Sequence, residues 1–419
     1  MATRTRRSGA RHKFPAGRRR PALLKQLQHA VLWSSIVTGT IIVLATLNWI
    51  PHAPDEFSYD WRTAFLSTIQ PAQRNDIALV IINEKSVARY ASRSPIDRGM
   101  IVELIKAVDT AQPRAIGVDF IFDRPSDSRN DRALADSLKA AHSTIVLGAT
   151  SQREGAIDTA NLLWQDAFIK SSGRRAGTLF FGKQAEEFAM TDNVIRTMDE
   201  PPDAGARYNK TFDTLLAELR RPIAMPANLL IAWLLPPDYG SDTFTTIYIP
   251  EHEPVDGHGD GRTVLPLYLH AALKDKIVII GADFIDRDQH LIPLSVRTKS
   301  TFPGAFIHAQ IVAQLIDGRS IVSASKPIEY GLVFIISLIG FLISPPYFLS
   351  TNRMFAEIVF FAGIVFIGAY LFWKGQMVLP TSTMFLGWLL GAIGGGHYEK
   401  LMTLMATLAR WPSARPRSK

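Results

Sequence analysis

The chain has 419 residues, is 47% hydrophobic, carries a formal net charge of +8 and contains no cysteine, which excludes disulfides, thiol catalysis and thiolate metal sites. Nine of its 46 basic residues lie in 1–25, where there is no acid, and the rest of the chain nearly balances its 38 acidic residues. The basicity is therefore a property of the tail, next to an apolar run, and gives no footing for a nucleic-acid partner.

That tail, 1–29, is followed by Ala30–Ile50, "AVLWSSIVTGTIIVLATLNWI", which has no charged residue and matches a bilayer core of about 30 Å. Its best small-residue cleavage point, after Ala53, precedes Pro54, so the sequence reads as an uncleaved anchor rather than a signal peptide. A long region, 51–326, then lacks any spanning stretch.

Within it, "DIALVIIN" (76–83) is a short apolar run of the kind a strand covered on both faces shows. "RGMIVELIKAVDTAQ" (98–112) sets Ile101, Leu104, Ile105 and Val108 on one helical face, and Pro113 ends it. "RAIGVDFIFD" (114–123) predicts a strand, "NDRALADSLKAAH" (130–142) a helix and "STIVLGA" (143–149) a strand. This β-α-β-α-β order implies an α/β fold with a mostly parallel sheet and flanking helices. The stretch 151–273 is irregular, and its strands are not assigned. "KDKIVIIGAD" (274–283) predicts another buried strand and "PGAFIHAQIVAQLIDG" (303–318) a helix.

Three further apolar stretches, 327–345, 354–373 and 378–398, bring the expected transmembrane helices to four. Basic residues crowd both chain ends, whereas the loop between the last two stretches holds only Lys374. The positive-inside rule then puts both termini in the cytoplasm and 51–326 outside a multi-pass (inner) cell-membrane protein. Gly387, Gly391 and Gly395 share one face of the last span and suit close packing within the bundle or between copies in a homodimer. Beyond it, the tail 399–419 places Leu401, Leu404, Met405, Leu408 and Trp411 in one stripe, fit for membrane lipids, a partner helix or a second copy.

Ligands of parallel sheets bind beyond the carboxyl ends of the strands. Those ends supply Asn83, Glu84, Asp123 and Asp283, each of which serves equally well as a helix or turn cap. Asp119 lies inside a strand, where a carboxylate needs a partner. "DFIDRDQH" (283–290) gathers three Asp, including Asp288, with one His, but its spacing matches no metal loop, and no metal or cofactor is expected. His308, near the start of the last helix of the domain, either packs through a hydrogen bond, contacts a ligand or serves as a pH-sensitive hinge. Hydrolase, P-loop and dinucleotide motifs are absent, so no enzyme is expected.

Taken in order, "DIALVIINEKSVARY…SPIDRGMIVELIKAV", "PRAIGVDFIFDRPSDSRNDRALADSLKAA", "LKDKIVIIGADFIDRDQHLIPLS" and "FPGAFIHAQIVAQLIDGRSI" resemble the CHASE type 2 domain, an extracellular sensory domain associated with cyclases and histidine kinases. The resemblance covers about 55–325, and one leading span with three trailing ones fits the same family. It implies a receptor-like sensor of a small-molecule or envelope signal. Many members carry a "DxDG…R" segment; "MTDNVIRTM" keeps Asp192 and Arg196 but has Asn193 where Gly would sit. The typical member continues into a kinase, cyclase or phosphodiesterase domain. Here a connecting stub follows the last span, so the signal is expected to reach a separate cytoplasmic or membrane partner. A structural role, as a docking module of an envelope complex, is the alternative, with an extracytoplasmic enzyme built on the acidic strand-end residues as a third reading.

Overall fold

The computed structural model describes residues 19–47, 49–51, 53–88, 96–150, 158–182, 193–203, 205–226, 228–238, 240–249, 267–285, 288–344, 353–397, 400 and 403–404. In chain order the elements begin with α1 (Arg19–Thr46), α2 (Ala53–Leu66), β1 (Arg74–Asn83), α3 (Arg98–Thr110), β2 (Ala115–Ile121), α4 (Ser128–Ala140), β3 (Thr144–Ala149) and α5 (Thr159–Ser172). They continue with β4 (Arg175–Thr178), α6 (Phe212–Glu218), β5 (Phe244–Tyr248), α7 (Leu267–Leu273), β6 (Ile277–Asp283) and α8 (Gly304–Asp317). The last three helices are α9 (Lys326–Ile343), α10 (Arg353–Gly375) and α11 (Thr381–Gly396). The chain divides into two units: 52–323 with 368–378, and the remainder.

The first unit is built on a six-stranded, wholly parallel sheet of order β4-β3-β2-β6-β1-β5. Its strands are apolar on both faces because helices cover both. Ala78, Val80 and Ile82 of β1 join one core with α3, α4 and α5, while Ile77, Leu79 and Ile81 join a second core with α6 and α8. On that second face a Cβ at Gly117 would stand 2.7 Å from Leu216 and Phe212, and one at Gly281 2.6 Å from the Cβ of Ala305. These two glycines let α6 and α8 seat against the sheet.

The sequence therefore predicts the sheet and its helices correctly, with ends shifted by a few residues. The unassigned stretch 151–273 supplies both edge strands, β4 and β5, as well as α5, α6 and α7.

α8 is buried nearly all round, including Gln310 and Gln314. Gln310 accepts from Leu234 N (2.9 Å) and donates to Leu234 O (3.1 Å), and Gln314 does the same for Ala232 N (2.7 Å) and Leu230 O (3.1 Å). Two side-chain amides one helical turn apart thus satisfy main-chain groups of residues 230–234. Arg196, buried below the same segment, forms a two-pronged ion pair with Asp60 of α2. Asn193 has φ of 57°, the left-handed region that Gly and Asn adopt with least strain. Asp192 lies outside the described residues.

The second unit corrects the expected count of spans. Among the described residues, three helices are long and apolar enough to cross a membrane, Leu24–Thr46, Lys326–Ile343 and Phe355–Gly375. The fourth expected span, 378–398, is helical only over the 16 residues of α11, about 24 Å at 1.5 Å per residue. The chain leaves the preceding span through Met377–Val378, which pairs with Val322–Ser323 instead of opening the helix, and Pro380 caps α11. Its glycines do pack as their spacing predicts. A Cβ at Gly387 would stand 3.1 Å from Val333, and one at Gly391 or Gly395 would overlap the carbonyl oxygens of Ser337 and Phe341. The contacts advance together along both chains, so α9 and α11 run parallel, backbone against backbone. Of the amphipathic tail, Leu404 is described and exposed, while Leu401 and Leu408 lie outside the described residues.

Candidate functional site

Neighbouring strands of the sheet send their following helices to opposite faces at one place. β2 leads into α4 on the first core, and β6 leads into α8 on the second. The loops must part there, which is the switch point where open α/β sheets leave room for a ligand. A cavity of about 610 Å³ occupies that place. Asp119 and Asp123 from the end of β2, Ala282 and Phe284 from the end of β6, and Gly304 and His308 of α8 line it. Asp288, His290, Arg124 and the run Leu179–Phe181 complete the wall.

His308 is the centre of the polar floor. One ring nitrogen, Nδ1, lies 2.9 Å from Asp213 Oδ1, and Nε2 lies 3.7 Å from Asp119 Oδ1. Phe181 covers it at a ring distance of 4.7 Å and also meets His290 edge-on at 5.3 Å. Burial alone would lower the basicity of His308, but the carboxylates of Asp213 and Asp119 outweigh it and raise the pKa to about 9. Asp119 moves up to about 7: burial pushes it up, the imidazolium of His308 opposes this, and the charges of Asp288 and Asp213 add to the rise. Its Oδ1 faces His308, and its Oδ2 is buried with no hydrogen-bond partner.

At the rim, the Asp288 carboxylate lies over the start of α8, where a Cβ on Gly304 would stand 2.6 Å from its Oδ1. The cap residue of α8, Pro303, offers no side-chain hydrogen bond, so Asp288 supplies the negative charge that a helix N-terminus favours. Its Oδ1 also lies 3.3 Å from His290 Nε2. Arg124 grips Asp123 with two hydrogen bonds, 3.1 and 2.9 Å. Arg98, though it touches the cavity, is buried against Phe122 and bonded to Asp131 and to main-chain oxygens, so it braces the wall.

Four of the seven expected ligand residues meet here: Asp119, Asp123, Asp288 and His308. The other three do not line the cavity. Asn83 caps the helix Glu84–Val87 in a reciprocal box with Ser86. Glu84 accepts from Ile285 N at 2.6 Å, and Asp283 accepts from the side-chain amide of Gln289. The sequence reading missed Asp213, Arg124 and the aromatic wall, and met His290 only as the His of the 283–290 cluster. Asp213 follows Thr211, whose side chain caps α6, so in the sequence it is indistinguishable from any acid in a first helical turn.

A family model described as the CHASE2 domain matches residues 36–342. No curated protein and no solved structure matches the chain.

Proposed function

The chain belongs to the CHASE2 family of sensory domains, and from that premise we propose that it is a membrane receptor whose α/β unit takes a small polar ligand into the cavity between β2 and β6. The observation that carries this reading is Asp119 Oδ2, a buried acceptor without a donor at the wall of an open cavity. A buried acceptor left unpaired costs about 1–3 kcal/mol, and a ligand hydroxyl or ammonium group recovers it. Phe120, Phe180, Phe181 and Phe284 offer such a ligand a flat apolar face to lie on.

In this reading α1, α9 and α10 cross the membrane, and α11 packs parallel to α9. The sensory family and the basic residues near the chain ends support a sheet unit outside the cytoplasm. The signal passes through this bundle to a cytoplasmic or membrane-bound partner.

The test is a thermal-shift screen of the full chain in nanodiscs against small amines and polyols. Compounds that stabilise the wild type are expected to lose their effect on Asp119→Asn and to keep it on Glu84→Gln, outside the cavity. Equal shifts on wild type and Asp119→Asn would reject the cavity as the receptor site.

A further inference from the structure

α2 is built inside out for a helix facing water. Its acids Glu56 and Asp60 are buried, whereas Phe57, Trp61 and Phe65 are 67%, 51% and 42% exposed. These three are spaced one turn apart on a single face. Trp61 and Phe65 lie against each other at 4.4 Å, so the stripe is a continuous apolar surface.

What lies behind α2 identifies what lies in front of it. Tyr59 packs edge-on against Phe372 of α10 (6.4 Å), and the Arg62 guanidinium lies 3.7 Å from where a Cβ on Gly368 would stand. Both contacts fall on the last turns of an apolar helix that ends at Gly375. That end carries the mark of a membrane boundary: Tyr370 and Trp373 are exposed, and Lys374 Nζ sits 4.0 Å above the Trp373 ring. α2 is therefore held where α10 leaves the hydrocarbon, and it begins shortly after α1 ends at Thr46.

We propose that α2 lies along the lipid headgroup region and buries Phe57, Trp61 and Phe65 in the bilayer surface. Aromatic side chains favour that layer, and an apolar face on a helix lying flat in it is satisfied by acyl chains. The partner is the lipid itself. The proposal rests on the reading of α10 as a membrane helix.

The absence of cysteine makes the test direct. Single variants Phe57→Cys, Trp61→Cys and Phe65→Cys of the full chain carry a fluorophore in nanodiscs. Phe366→Cys on α10 and Leu163→Cys on α5, both exposed, serve as lipid and water references. The expected result is strong quenching of the three α2 labels by nitroxide lipids, as at Phe366, with severalfold less quenching by iodide than at Leu163. α2 labels as open to iodide as Leu163 would overturn the proposal. So would labels shielded only in discs holding two copies, which would assign the stripe to a second chain. A Phe366 label open to iodide would instead overturn the membrane reading of α10.

Discussion

Arg196 holds Asp60 through two hydrogen bonds of 2.8 and 2.7 Å, with only 1% and 9% of the respective side chains in contact with water. The pair ties the segment that begins at Asn193 to α2, across more than a hundred residues of chain. Burying both ions has a cost, which their mutual geometry offsets; removing one leaves the cost in place.

Arg196→Ala is accordingly expected to destabilise the sheet unit by about 3–5 kcal/mol. Asp60→Leu combined with Arg196→Met is expected to recover most of that loss. Denaturant unfolding of the full chain in detergent, followed by circular dichroism, reads both.

Stability should fall as pH rises. The folded-state pKa of His308 is about 9 against an ordinary 6.5, so its contribution is complete below 6.5 and lost through 9. Asp119 is raised to about 7 from 3.8, so its contribution is complete below 3.8 and lost through 7. Both groups bind protons more tightly in the folded state, and each contributes a slope of up to about 1.4 kcal/mol per pH unit. Melting temperatures recorded from pH 4 to 9 are expected to decline. Asp119→Asn should make the decline shallower, because it removes one titrating group and one of the carboxylates that raise His308.

At Asn193, φ of 57° sorts substitutions by shape rather than polarity. Asn193→Gly is expected to leave stability near the wild-type value. Asn193→Val is expected to cost about 1–2 kcal/mol, because a branched Cβ crowds the carbonyl in left-handed backbone. Thermal melts of the two variants side by side decide it.

The α9–α11 contact gives a matched pair of glycines. Gly391 is pressed against Ser337, whereas a Cβ on Gly363 would meet nothing within 4 Å. Gly391→Val is expected to lower the melting temperature in detergent by the equivalent of about 1–3 kcal/mol, as overpacking does. Gly363→Val is expected to change it little.

How much of this was legible in the sequence depends on the range of each signal. β1 and β6 announce themselves as unbroken apolar runs, and the amphipathic face of α3 shows its helix, because those patterns are written within ten to fifteen residues. Asn83 and Asp119 illustrate the limit. Both are polar residues of strands, yet one caps the helix beside it and the other reaches a histidine brought by a distant helix. Nothing local separates them; the sheet order does. β4 and β5 escaped because edge strands of four and five residues give too short a pattern. α11 was overread because its apolar stretch is longer than the helix it forms: the preceding residues hydrogen-bond as a strand.

β6 sits between β1 and β2, and those two strands pair with it rather than with each other. During synthesis the first two strands emerge with their facing edges open and wait some 150 residues for the strand that joins them. Until residue 283 has appeared the sheet exists only as separate pieces, each offering exposed backbone to any passing chain. Closure is then a late, long-range event and a slow one. The cavity, whose floor comes from β2 and α8, is assembled in the same step. A chain interrupted before β6 yields neither a smaller receptor nor a half-formed site, but a sticky substrate for chaperones and proteases.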